Sequence, residues 1–139
     1  MKISIMDASE YLRGLLLLIR KDRKITEAEN RLMKRIGKTL KFEREFCDNA
    51  ICEILENKHI LDAPPEFSTD ELAMRFIKDG LTLAFSDKDV PAFEAEWLRS
   101  IAEINGLDEE WFIREWANAS NRKDVPVHLE VDDLSVEYS

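Results

Sequence analysis

The stretch Asp22-Arg-Lys-Ile-Thr-Glu-Ala-Glu29 decides the fold, because its pattern returns in Asp87-Lys-Asp-Val-Pro-Ala-Phe-Glu94. The two stretches are offset by 87 − 22 = 65 residues, and each places an apolar residue, Ile25 or Val90, between an Asp and a Glu. Apolar residues on both sides of the stretch recur at the same offset. They pair Tyr11 with Phe76, Leu12 with Ile77, Leu16 with Leu81, Leu18 with Leu83, Leu32 with Trp97, Met33 with Leu98, Ile36 with Ile101 and Phe46 with Trp111. An apolar frame that survives this shift predicts a duplicated helical unit.

The composition is that of a soluble globular domain. The chain has 139 residues, of which 45% are hydrophobic and 35% charged, and its four Gly and four Pro favour helices over a many-turned β fold. A net charge of −9 disfavours nucleic acid, whose phosphates would be repelled, and suits a cation or a basic partner. No apolar run approaches the roughly 20 residues that span a bilayer. With two free thiols and no secretory signal, we expect a cytoplasmic protein without membrane insertion.

Helical periodicity predicts six helices. We expect an all-α fold in which two pseudo-symmetric three-helix repeats, at about 8–57 and 70–121, form one helical bundle within a domain spanning 1–121. The first helix is predicted to begin near Ala8, with Asp7 or Ser9 as its cap. Asp62-Ala-Pro-Pro-Glu66 breaks the pattern and links the repeats.

Residues 122–139 differ in character and predict an extended C-terminal arm or tail. Val125, Val127, Leu129 and Val131 alternate with polar residues, which indicates a short strand or an extended arm that could contact a partner. Asp132 to Ser139 is expected to be a loose acidic tail.

The duplicated acidic pattern has a structural explanation. An Asp can accept hydrogen bonds from a loop backbone, and a Glu in a first turn can close a capping box and favour the helix dipole. Thr26 and Glu29 fit such a box, but Pro91 takes the place of Thr26 in the second copy and has no side-chain acceptor. Glu94 therefore has no capping-box partner at the matching position.

The functional explanation is a metal site formed by Asp22, Glu29, Asp87 and Glu94. Hard cations such as calcium, magnesium and manganese take carboxylate oxygen ligands. Carboxylates held ~4 Å apart repel by roughly 4 kcal/mol at an effective dielectric constant of ~20, and a divalent cation relieves that repulsion. The sequence is compatible with both the capping explanation and the metal-site explanation.

Other classes of site lack their motifs. An EF-hand beginning at Asp87 would have Pro91 in its fifth position, Ala92 in place of the obligatory Gly and Leu98 in place of the final Glu. The residues His59, His128, Cys47 and Cys52 do not show zinc-site spacing. Because phosphate-binding glycine loops and nucleophile elbows are also absent from the sequence, we do not expect an enzyme.

A long apolar helix followed by Asp-x-x-[Ile/Val]-x-x-x-Glu, in duplicate, resembles the tellurite-resistance TerB-like family. The resemblance runs from about Ser9 to Asn118, and its most specific residues are Asp22, Ile25 and Glu29, matched by Asp87, Val90 and Glu94. It implies an all-helical fold of two pseudo-symmetric halves, a cytoplasmic location and an acidic surface that binds divalent cations. It also implies a role in stress responses or as a module beside other domains.

The first hypothesis is therefore a divalent-cation-binding TerB-like domain with a stress-response or tellurite-resistance-related scaffolding role. The alternative is a metal-free protein–protein interaction or dimerisation module, in which the carboxylates serve only as caps and ion pairs. A third option is a carboxylate-dependent hydrolase, which would require turnover that depends on Glu29 or Glu94.

Overall fold

The computed structural model describes residues 1–22, 27–42, 63–85, 92–122 and 128–137, and these are mainly helical. Five α-helices are described: α1 (Ile5–Asp22), α2 (Glu27–Thr39), α3 (Asp70–Ala84), α4 (Ala92–Ile104) and α5 (Glu109–Ser120). Two short strands, β1 (Lys2–Ser4) and β2 (Ser135–Glu137), and a 3-10 helix (Glu130–Asp133) complete the described elements. The predicted all-α class is confirmed, whereas the third predicted helix, after Phe42, lies outside the described residues.

The core is built around α1. Leu15, Leu17 and Ile19 each have no exposed surface, and Leu18 is 1% exposed, so α1 is covered on several sides. Helices α2, α3 and α4 all pack against it. A helix that is apolar around much of its circumference must be enclosed in this way. In the described part of the chain, no helix combines the length and the apolar character needed to cross a membrane.

Helix α1 begins earlier than predicted. Its first residue is Ile5, and the Ser4 hydroxyl oxygen accepts the Asp7 backbone N–H at 3.1 Å, so the proposal of Asp7 or Ser9 as the cap is wrong. Asp7 lies in the first turn and is itself buried. Its carboxylate accepts hydrogen bonds from the Ser68 backbone N–H at 3.1 Å and the Ser68 hydroxyl at 2.6 Å. Asp7 thus attaches the start of α1 to the segment that precedes α3.

The 65-residue offset reappears in the bounds of the helices. Helices α2 and α4 both have 13 residues, and their first and last residues differ by 65 in number. Each is followed by a residue with positive φ, Lys41 at 66° and Gly106 at 73°, which are also 65 apart. The same pair of backbone hydrogen bonds closes both turns, with Phe42 and Leu107 as the outer donors at 2.9 and 2.8 Å.

The C-terminal residues do not form the loose acidic tail that was predicted. Residues 128–137, called the C-terminal segment below, contain the 3-10 helix and β2, which pairs with β1 in parallel. Their apolar side chains are buried: Leu129 at 2%, Val131 at 0%, Leu134 at 6% and Val136 at 5% exposure. The prediction failed because the apolar pattern continues past Val131 and because the backbone of β1 offers hydrogen bonds to β2. Val125 and Val127 lie outside the described residues.

Candidate functional site

The two glutamates of the duplicated pattern occupy the same position in two helices. Glu29 is the third residue of α2 and Glu94 the third residue of α4. Both are buried, with only 3% of their surface exposed. Glutamate is almost never fully buried unless hydrogen bonds or a positive charge compensate its carboxylate. The carboxylates of Glu29 and Glu94 therefore interact with groups inside the fold, and not mainly with water at a helix end.

The aspartates of the pattern are not placed in the same detail. Asp22 is the last residue of α1, but its side chain lies outside the described part of the structure. The whole of Ile25, Asp87 and Val90 also lies outside it. Among the residues that are described, no group of three or more His, Cys, Asp or Glu side chains is arranged to hold a metal ion. Glu29 and Glu94 supply the carboxylate oxygens that hard cations prefer. The donor chemistry fits a cation, and the described residues include only these two of the four carboxylates.

A second carboxylate, Asp79 of α3, lies at the centre of a buried hydrogen-bond network. It is 2% exposed. Its Oδ2 accepts hydrogen bonds from the Tyr11 hydroxyl at 2.6 Å and from the Val131 backbone N–H at 2.9 Å. Its Oδ1 accepts the Glu130 backbone N–H at 2.9 Å. Asp79 therefore joins α1, α3 and the start of the 3-10 helix, whose first two N–H groups it satisfies.

Burial changes the proton affinity of this network. It raises the pKa of Asp79 from its ordinary value of 3.8 to about 6, against the hydrogen bonds from Tyr11, Glu130 and Val131, which favour the charged form. Burial, together with the negative charge of Asp79, also raises the pKa of Tyr11 well above 10. Desolvation is therefore the larger effect at Asp79, and the group titrates in a weakly acidic range.

A set of charged pairs surrounds the buried network and holds the same C-terminal segment. Arg35 of α2 contacts Asp132 at 2.6 Å. Arg75 of α3 contacts Glu130 at 3.3 Å and Asp133 at 3.6 Å. On the outside, His128 lies 3.0 Å from Asp133, and this hydrogen bond raises the pKa of His128 above 6.5 and lowers that of Asp133 below 3.8. The acidic residues of the segment thus meet basic residues of two helices.

Sequence reasoning did not identify Asp79, although the repeat contained a signal. At the 65-residue offset, Asp79 corresponds to Gly14, so a carboxylate replaces a residue without a side chain on the same apolar face. The flanking residues Ile77 and Leu81 keep the apolar frame. An acid that breaks an otherwise apolar frame at a single position predicts a specific buried partner.

A shallow cavity of about 330 Å³ lies between the start of α3 and the α4–α5 connection. Its lining residues are Asp70, Met74, Gly106, Leu107, Asp108, Trp111 and Arg114. Trp111 forms one wall and is half-buried, whereas Trp97 is 8% exposed and belongs to the core. The cavity shares no lining residue with Glu29, Glu94 or the Asp79 network.

No family model matches the chain, and the curated proteins and the solved structures likewise provide no match. The resemblance to the TerB-like family consequently stays a prediction that depends on the duplicated residues quoted above.

Proposed function

We propose that this domain binds a hard divalent cation, namely calcium, magnesium or manganese, through Asp22, Glu29, Asp87 and Glu94. The observation that carries the proposal is the shared 3% exposure of Glu29 and Glu94 at equivalent positions of α2 and α4. Their carboxylate oxygens are the type of ligand that hard divalent cations take.

A neighbouring acid, Glu27, separates the burial of Glu29 from the favourable interaction with the helix dipole. Glu27 is also in the first turn of α2, but its side chain is 80% exposed and pairs with Arg31 on the surface. Glu27 therefore already provides the favourable interaction of a negative charge with the helix dipole. The helix dipole therefore does not require Glu29 to be buried as well, and the burial of Glu29 is in accord with a ligand role.

The 65-residue correspondence supports a fold of two pseudo-symmetric halves that form one bundle and contribute one Asp–Glu pair each. Equal helix lengths and equal positive-φ turns after α2 and α4 are the supporting features. From the resemblance to the TerB-like family, we infer a stress-response or tellurite-resistance-related scaffolding role in the cytoplasm. In that role, the domain would bind the cation.

The test is a calorimetric titration of chelator-stripped protein with calcium, magnesium and manganese. The double variant Glu29→Gln/Glu94→Gln should lose saturable binding by at least about tenfold in affinity, because both buried carboxylates become neutral. The control variant Glu27→Gln/Glu96→Gln changes the net charge equally at exposed positions of the same helices and should bind like the wild type. Absence of binding to the wild type at millimolar cation would refute the proposal.

A second candidate function is a metal-free interaction or dimerisation module. Three exposed apolar residues at the start of the chain favour it: Met1 at 38%, Ile5 at 47% and Met6 at 77% exposure. Clustered exposed apolar side chains are typical of contact surfaces. Under this alternative, Glu29→Gln/Glu94→Gln lowers thermal stability equally with and without cation, and Met6→Glu weakens a concentration-dependent dimer seen by sedimentation.

A further inference from the structure

One buried carboxylate, Asp79, accepts hydrogen bonds from the backbone of the C-terminal segment. Glu130 and Val131 donate their backbone N–H groups to Asp79, so this contact does not depend on the side chains of the segment. Apolar residues of the segment cover this point, and Val131 itself has no exposed surface. Removal of the segment would open Asp79 to water and leave two N–H groups without their acceptor.

We propose that the C-terminal segment is a proton-dependent latch, which docks over Asp79 and the basic residues of α2 and α3 more tightly in weak acid than at neutral pH. The latch is independent of the cation site, because it uses neither Glu29 nor Glu94.

The charged groups around Asp79 explain why its protonation favours docking. Tyr11 faces it from α1 as a neutral hydroxyl, and the Glu130 carboxylate adds negative charge from the segment. Two basic groups of the same helix, Arg75 and Lys78, contact that Glu130 carboxylate at 3.3 and 3.8 Å. Among the described residues, no ion pair to a Lys or Arg compensates Asp79. Burial of its charge is therefore a cost of docking that protonation removes.

The remaining charged contacts of the segment give the latch affinity. Arg35 faces Asp132 from α2, and Arg75 also faces Asp133. Each pair joins a carboxylate of the segment to a guanidinium of a helix, so these contacts hold the segment on α2 and α3 in addition to the Asp79 hydrogen bonds.

The sign of the dependence follows from the raised pKa. Docked Asp79 has a pKa of about 6, and the group returns towards 3.8 when undocking exposes it. Docking is then fully favoured below the undocked value and weakens as the pH rises through the docked value. Protonated Asp79 can donate to the Tyr11 hydroxyl oxygen and still accept both backbone N–H groups, so the docked geometry serves both protonation states.

His128 contributes with the same sign. Its hydrogen bond to Asp133 raises the pKa of His128, so this contact is fully present below about 6.5 and is lost as the pH rises through the raised value. Protonation of Asp133 would oppose this by weakening the contact as the pH falls. Because the pKa of Asp133 is lowered, that protonation begins only in stronger acid. Asp79 and His128 therefore both weaken the latch as the pH rises from weak acid towards neutral.

Hydrogen exchange of the Glu130 and Val131 amides tests the proposal directly, because these two N–H groups lie at the docking contact. After correction for intrinsic exchange rates, the protection of both amides should fall about tenfold between about pH 5 and about pH 7 through Asp79. Amides of Leu17 and Leu18 in α1 report global unfolding and should be more strongly protected. Equal protection of segment and α1 amides would show that the segment opens only with the whole fold, and would overturn the latch.

Three variants identify the titrating group. Asp79→Asn should remove most of the fall, leaving the smaller part that His128→Gln removes. The control Asp70→Asn changes an exposed acid of the same helix and should retain the wild-type profile. A wild-type profile that is flat or that rises with pH would overturn the proposal.

Tyr11→Phe provides a test that does not depend on the folding of the Asn variant. It removes a hydrogen bond that favours the charged carboxylate, so the midpoint of the fall should move to higher pH. An unchanged midpoint would contradict Asp79 as the proton-binding group.

Discussion

At the residue scale, the repeats differ at Gly14 and Asp79, and the chain segments that lie against these two positions differ in a matching way. Gly14 and Asp79 are 65 residues apart, and so are the residues they face, Pro65 and Glu130. Pro65 has no N–H group and its ring lies close to Gly14, where an added Cβ would be 2.7 Å from Pro65 Cγ. Glu130 has an N–H group, and Asp79 accepts it. Each residue suits the chain segment that covers it.

We predict that Gly14→Ala destabilises the protein by about 1–3 kcal/mol, as is typical of overpacking. The new Cβ would lie 2.6 Å from Phe76 Cζ as well as against the rigid Pro65 ring. Gly80→Ala is the matched control on α3, since its closest contact is the flexible end of Leu98 at 2.8 Å. Urea unfolding should rank Gly14→Ala as the more damaging change, and the reverse order would contradict this account.

At the scale of elements, the helices follow from the sequence more directly than their ends do. The apolar frame predicts where α2, α3 and α4 lie, because helical periodicity extends over many residues. The sequence predicts the start of α1 near Ala8, whereas the helix begins at Ile5. Ser4 and the adjoining strand show no sequence pattern as strong as the apolar run from Leu15 to Ile19. Helix ends depend on single hydrogen bonds, which composition does not reveal.

The turns after α2 and α4 lead to a prediction about Lys41. Its φ of 66° lies in the left-handed region, where the equivalent position holds Gly106. Lys41→Gly should therefore stabilise the protein by about 0.5–1 kcal/mol through relief of backbone strain. Chemical denaturation measures the change, with Lys38→Gly inside α2 as the destabilising control. A loss of stability in Lys41→Gly would show that the Lys41 side chain contributes more than the strain costs.

At the scale of the whole molecule, the candidate cation site and the Asp79 network differ in how far the sequence predicts them. The recurrence of Glu29 and Glu94 is visible as a pattern, and both residues are buried. The Asp79 network joins residues from three distant parts of the chain, with Tyr11 and Val131 at its extremes. Short-range periodicity carries no information on such tertiary hydrogen bonds, so only the irregularity at Asp79 could indicate them.

The last prediction concerns the pH dependence of global stability. Because burial raises the pKa of Asp79 from 3.8 to about 6, its contribution to stability is complete below the lower value and is lost as the pH rises through the higher one. Between about pH 4.5 and about pH 7.5, the free energy of unfolding should therefore fall by about 2 kcal/mol through this group.

Urea unfolding of the wild type and Asp79→Asn across that range isolates the effect, because the other titrating groups are common to both proteins. The difference between the two unfolding free energies should shift towards the variant as the pH rises through about 6 and then level off, since the wild type alone must bury a charge. A difference that stays constant with pH would mean that Asp79 is ionised throughout. In that case its three hydrogen bonds, and not desolvation, would govern both its protonation and the attachment of the C-terminal segment.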